Sequence, residues 1–193
     1  MRTSPPRLLP LFRSSGQARL LAQLFALPGG EGLTLAALGR AADLASSRVH
    51  REVESLESAG LVRSERVGTA RLVRPNVESP YYPELRSLLL KAFGPAAVLE
   101  PLLSEVPGVE EASLFGSWAS RYLGEPGSAP GDIDLLVVGD VNPGDVYRAC
   151  RRAEDALGRP VNPTILSRQE WTDRESGFVR AVREGARLPL NVR

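Results

Sequence analysis

Two aspartates, Asp132 and Asp134, stand one residue apart at the head of an apolar run, and fourteen residues separate Asp132 from the pair Gly116-Ser117. Alternate side chains of an extended chain share a face, so both carboxylates point one way while Ile133, Leu135 and Val137 point the other, into a core. Such a pair offers hard oxygen ligands suited to Mg²⁺, and the ion would neutralise the charge of a triphosphate. Gly116-Ser117 follows a β-prone run and opens a helical one, a place where free backbone N–H groups and the helix dipole favour a phosphate. Gly-Ser alone carries no information, and Asp-x-Asp often only caps turns. Their order, strand, Gly-Ser, helix, loop, Asp-x-Asp, strand, is what makes the combination specific.

A second constellation lies upstream in SSRVHREVESLESAG. With Val49, Val53 and Leu56 turned inward, Ser46, Ser47, Arg48, His50 and Arg51 remain on the outer side of the first turns. Arginine can bind guanine edges bidentately and serine can bind phosphate or base. Arg63, Arg66, Arg71 and Arg74 follow in two β-prone runs joined by Gly68-Thr69, suited to backbone contacts beside a groove. Any one of these arginines could as well be a solvated surface residue; their concentration on one helix and one hairpin is the signal.

The elements that must position these residues can be read from periodicity. Apolar spacing predicts a helix over 17–27, stopped by Pro28-Gly29-Gly30, then a short extended piece at Gly32-Leu33-Thr34. Thr34 is placed to cap a helix over 35–44, and a serine of Ser46-Ser47 to cap one from there to about Ala59. Gly60 ends that helix and a hairpin follows. A turn-rich segment, 75–83, leads to a leucine-rich helical stretch, 85–103, interrupted near Gly94-Pro95, where the domain junction is expected. Beyond it come a strand over 111–115, a helical start at 118–122, a loop over 124–131, a strand over 133–138, a helix over 145–157, a strand over 160–166 and a mainly helical 168–185. The expected fold class is a two-domain α+β and α/β chain: residues 1–80 a winged helix-turn-helix, 81–105 a linker and dimerisation helix, 106–193 a small α/β domain.

Composition narrows the function classes. The 193 residues are 42% hydrophobic and 24% charged, the profile of a globular protein. The richest apolar stretch is broken by charge and proline, and the proline-bearing N-terminus lacks a signal-type cleavage site, so a cytoplasmic chain without a membrane partner is expected. One cysteine, Cys150, and one histidine, His50, exclude a disulfide framework and a Cys/His zinc site. The net charge of +1 is unevenly placed: residues 1–76 hold 11 Lys and Arg against 6 Asp and Glu, and residues 77–193 hold 13 against 17. A basic front half suggests a polyanionic partner.

The run LAALGRAADLASSRVHREVESLESAGLV followed by a hairpin resembles the winged-helix domains of ArsR-type transcriptional regulators over residues 17–76. The resemblance implies double-stranded DNA as partner and a homodimer reading two half-sites. The string LFGSWASRYLGEPGSAPGDIDLLVVGD resembles the minimal nucleotidyltransferases of the DNA polymerase beta superfamily, over about residues 96–190. That likeness implies Mg²⁺ held by Asp132 and Asp134 as the catalytic acids, and an NTP as ligand or substrate at Gly116 and Ser117, with Arg121 reaching phosphate from the helix. Family members that transfer a nucleotide carry a third carboxylate on the neighbouring strand. Here that strand is RPVNPTIL and the matching position holds Asn162, which has no negative charge and cannot act as a general base near pH 7. Glu170 and Asp173, just past the strand, are the remaining acids that could substitute. The expectation is a regulator whose degenerate second domain binds nucleotide. Two alternatives stand beside it: an active transferase that modifies a toxin or other protein partner, and a second domain with a structural or interaction role alone.

Overall fold

The computed structural model describes residues 11–26, 32–125, 130–173 and 176–192. The helix stop expected at Pro28-Gly29-Gly30 and the middle of the 124–131 loop lie outside them. The chain divides into two compact units, residues 1–94 and 95–193, each a mixture of helices and one small sheet. The division falls within the stretch 81–105, so its first half belongs to one unit and its second half to the other.

In the first unit, α1 (Ser15–Leu21) is capped by Ser14, whose Oγ accepts from the Gln17 N–H at 3.2 Å. It runs on as a π-helical turn, Ala22–Ala26, burying Leu20, Leu24 and Phe25. A two-residue strand, β1 (Leu33–Thr34), leads into α2 (Leu35–Ala42), and the Thr34 hydroxyl caps that helix by accepting from the Ala37 N–H at 3.1 Å. Asp43 ends α2 in the left-handed region, with φ of 53°. The next helix, α3 (Ser46–Ser58), has Ala45 at its cap position and no side-chain cap bond, so the serine cap expected from sequence is not formed. Ser46 and Ser47 instead occupy the exposed first turn, while Val49 and Val53 are fully buried. The hairpin β2 (Val62–Val67) and β3 (Ala70–Pro75) turns at Gly68, whose φ of +62° suits glycine. β1 pairs antiparallel with β3, giving the order β1-β3-β2. Helix, strand, helix, helix, hairpin, with the first strand added to the hairpin, is a winged-helix-like arrangement.

The last helix of this unit, α4 (Tyr82–Phe93), packs back on the first: the Tyr82 ring lies 6.3 Å from Phe25, and Phe93 lies 5.7 Å from Phe12. The stretch Tyr82–Ser104 has the length and hydropathy of a membrane-crossing helix, a profile that core helices share. Gly94, in an extended conformation, and Pro95 break it into α4 and α5 (Pro95–Ser104).

The second unit continues from α5 through β4 (Val109–Phe115), α6 (Gly116–Tyr122), β5 (Ile133–Gly139), α7 (Pro143–Leu157), β6 (Val161–Leu166), α8 (Arg168–Thr172), α9 (Gly177–Glu184) and β7 (Arg187–Leu190). Its sheet order is β6-β5-β4-β7. β5 and β6 run parallel, joined through α7, and the other pairs are antiparallel. β5 is central and its apolar residues are buried. On one face Leu136 and Val138 pack with Trp171, Val179 and Val182 of α8 and α9. Alternation leaves Ile133, Leu135 and Val137 to the opposite face. Cys150 is buried in α7, where burial, reinforced by the charge of Glu154, pushes its thiol up to about 11, the behaviour of a core residue.

Candidate functional site

The carboxylate pair lies at the end of β5 where three strands meet. Phe115 of β4 stands opposite Asp134 of β5, and Asp134 stands opposite Asn162 of β6. Residues paired across a sheet present their side chains on the same face, so these three form a row, with Asp132 two residues back from Asp134 on the same side. The Asn162 Nδ2–H donates to Asp132 Oδ2 at 2.8 Å. Gly116 closes the group from the other side. Its φ is +67°, and a Cβ at this position would lie 2.4 Å from Asp134 Oδ2. Only glycine permits the carboxylate to come that close to the backbone. Gly116, Asp132, Asp134 and Asn162, far apart in sequence, are therefore neighbours.

Electrostatics at this point are unfavourable to two bare carboxylates. Burial first, and then the charge of Asp132, raise the Asp134 pKa above its ordinary 3.8, while a hydrogen bond from Asn162 offsets part of that rise. A cation between the acids would relieve the repulsion. The oxygen donors at this point are the two carboxylates, Asn162 turning its amide N–H toward them, and hard oxygens of this kind suit a divalent ion of the Mg²⁺ type. They carry too little charge for two. Among the described residues no group of three or more His, Cys, Asp or Glu side chains is placed to hold a metal.

Of the two acids just past β6, Glu170 does not fill the gap. Glu170 closes a capping box at the start of α8, where its Oε2 accepts from the Ser167 N–H at 2.7 Å, and its pKa is lowered by that bond and by the Ser167 side chain. Ser167 follows the far end of β6, five residues beyond Asn162 and so roughly 16 Å along the strand. Ser117 is exposed as the second residue of α6, a helix of seven residues. Arg121, in the last turn of that helix, donates from Nη1 to the Glu125 carbonyl at 2.6 Å. The half-buried Arg159 donates to the Pro130 carbonyl, tying down the chain just before Asp132.

In the first unit, Ser46, Ser47, Arg48, His50 and Arg51 are all exposed on the first turns of α3. Arg48 Nη2 donates to Ser14 Oγ at 3.0 Å, a bond to the α1 cap. The hairpin arginines divide into two kinds. Arg66 is exposed and, like Arg51, makes no ion pair among the described residues. Arg63 pairs with Glu78, Arg74 with Glu65, and Arg71 with Glu57. Arg71 is the most enclosed of the three: its Nε also donates to Ser64 Oγ at 2.8 Å, and Ser64 in turn donates to Glu57. Glu57, on α3, carries no signal in the linear sequence because its partners lie on another element, and it ties the helix to the hairpin.

No protein-family model matches this chain, and no curated protein sequence matches it. Among solved structures, one described as a predicted DNA-binding transcriptional regulator from E. coli aligns at 20% identity over 42% of this chain and 78% of that one, with a TM-score of 0.33. TrmBL2, an archaeal chromatin protein, aligns at 21% identity over 92% of this chain and 73% of its own, with a TM-score of 0.31. At these TM-scores neither superposition fixes a common fold.

Proposed function

We propose that the chain is a winged-helix DNA-binding transcriptional regulator whose second unit binds a nucleoside triphosphate with Mg²⁺ and transfers it weakly or not at all. The observation that carries the second half of this reading is the meeting of Gly116 with Asp134 beside Asp132 and Asn162, a cradle that a single Cβ would fill. Asp132 and Asp134 would hold the ion, which would neutralise phosphate charge when bound. The first N–H groups of α6, at the exposed residues Gly116 and Ser117, would offer donors to phosphate oxygens. Asn162 keeps Asp132 in place with its amide, but it can neither take a proton from an attacking hydroxyl nor add the charge a second ion needs.

The first half of the reading rests on the exposed polar and cationic turn of α3 beside a hairpin that carries Arg66 at its surface. In a winged helix this is the helix that enters the major groove, with the hairpin over the adjacent backbone. A homodimer reading two half-sites is part of the proposal, supported by the likeness to ArsR-type regulators.

Thermal unfolding in the presence of Mg²⁺ and ATP tests the nucleotide site. At a ligand concentration 100 times the dissociation constant, the expected stabilisation is about 2.7 kcal/mol, absent in Asp134→Ala. Labelling of an acceptor by radioactive NTP at the turnover of an ordinary transferase, abolished in Asp134→Ala, would instead establish an active enzyme. Asn162→Asp supplies the missing charge; recovery of transfer in that variant is expected if the lost carboxylate is the main defect.

A further inference from the structure

We infer that Phe178, backed by Phe115, is a platform on which the base of the bound nucleotide stacks. This deepens the nucleotide-binding reading above and rests on it. Phe115 is the residue immediately before Gly116 and stands opposite Asp134, so its side chain lies beside the acid pair on the same sheet face. Its ring meets that of Phe178, on α9, at 5.8 Å between centroids and 84° between planes, an edge-to-face contact. The next residue of the helix, Val179, and Val182 are buried in the cluster under α9, and Phe115 packs against that same cluster. Phe178 is different: 40% of it is exposed.

An aromatic ring fixed along one side and open on the other, next to a phosphate cradle, suits a nucleobase. Phe178 is thus one ring contact from Phe115, which itself stands on the strand next to Asp134 and in register with it. Stacking tolerates any base because each has a π-face, and the larger purines gain most from it. The ligand class is a purine nucleoside triphosphate, held by charge at one end and by a ring at the other.

The experiment titrates the full chain, with Mg²⁺ present, against ATP and against inorganic tripolyphosphate, which shares the phosphates and lacks the base. Wild type is expected to bind ATP at least about fivefold more tightly than tripolyphosphate. Phe178→Ala should bring ATP down to the tripolyphosphate affinity and leave tripolyphosphate unchanged, and Phe178→Trp should keep the preference for ATP. If the alanine variant loses both ligands, Phe178→Leu, which keeps the apolar volume, decides, with the same selective loss of ATP expected. Equal binding of the two ligands by wild type, or an unchanged ratio in Phe178→Leu, would overturn the platform while leaving the phosphate site standing. Binding of neither ligand would overturn the nucleotide reading itself, and the platform with it.

Discussion

Asn162 is the residue on which the proposed nucleotide chemistry would turn. It is in register with Asp134 and hydrogen-bonded to Asp132, and in the proposed nucleotide site it would stand where a third acid would complete a two-ion centre. The ionisation of Asp134 bears on stability. Its raised pKa means that the folded state holds the proton more firmly than the unfolded chain does. This contribution to stability is present in full below the ordinary pKa of 3.8 and is lost as pH rises through the higher folded value. Asp134→Asn, which cannot ionise, should therefore raise the unfolding temperature of the ligand-free protein at pH 7 and give a smaller gain at pH 4; thermal unfolding at the two pH values checks this. Gly116→Ala acts on the same contact. With a positive φ and a Cβ driven against the Asp134 carboxylate, it should cost about 1–3 kcal/mol in denaturant unfolding and abolish Mg²⁺-ATP binding. A fully stable alanine variant that binds ATP normally would show that the cradle has been misplaced.

At the scale of elements, the bond network between α3 and the hairpin sets where the wing stands. Glu57 accepts from Arg71 and Ser64, both on the hairpin, and both sides of the Arg71–Glu57 pair are largely enclosed. Glu57→Ala should lower stability by roughly 1–3 kcal/mol, because it leaves an enclosed guanidinium without its carboxylate. DNA affinity should fall with it although Glu57 carries the wrong charge to touch phosphate; unfolding and filter binding of the one variant measure both effects. By contrast, Arg66→Ala should leave stability unchanged, weaken specific and random DNA alike, and reduce the salt slope by about one unit. Arg48→Ala combined with Arg51→Ala should remove the preference for the specific site. Much of this element layout was legible: the helices and hairpin of the first unit, and the strand positions of Asp134 and Asn162, follow from periodicity and glycine placement. Other parts were not. The pairing of Arg71 with Glu57 has no linear signal, because the two stand fourteen residues apart and on different elements. β7, reading RLPL, is too short and too proline-marked to announce itself; it forms because the free edge of β4 accepts it. The segment 168–185 reads as mainly helical, and it holds two helices, α8 and α9, each with a serine cap. Phe178 carries no sequence signal at all, since its meaning comes only from the register that sets Phe115 beside Asp134.

For the whole molecule, charge follows the division of the chain. Residues 1–94 hold 13 Lys and Arg against 8 Asp and Glu, and residues 95–193 hold 11 against 15, so the front unit carries +5 and the rear −4. A net positive unit favours a polyanion such as DNA, whereas a net negative one admits a nucleotide only where a cation and backbone donors offset the charge. The rear unit should thus bind ATP in a strictly Mg²⁺-dependent way. If the nucleotide regulates DNA binding, the coupling is reciprocal, and a saturating DNA site must shift the ATP dissociation constant by the same factor that ATP shifts the DNA constant. The most direct measurement is a calorimetric titration of the full chain with ATP, with and without Mg²⁺, in wild type and Asp134→Ala. The expected result is saturable binding of one nucleotide per chain that needs both the ion and Asp134. Titrations that match buffer dilution in every case, or binding that persists without Mg²⁺ and in Asp134→Ala, would contradict it.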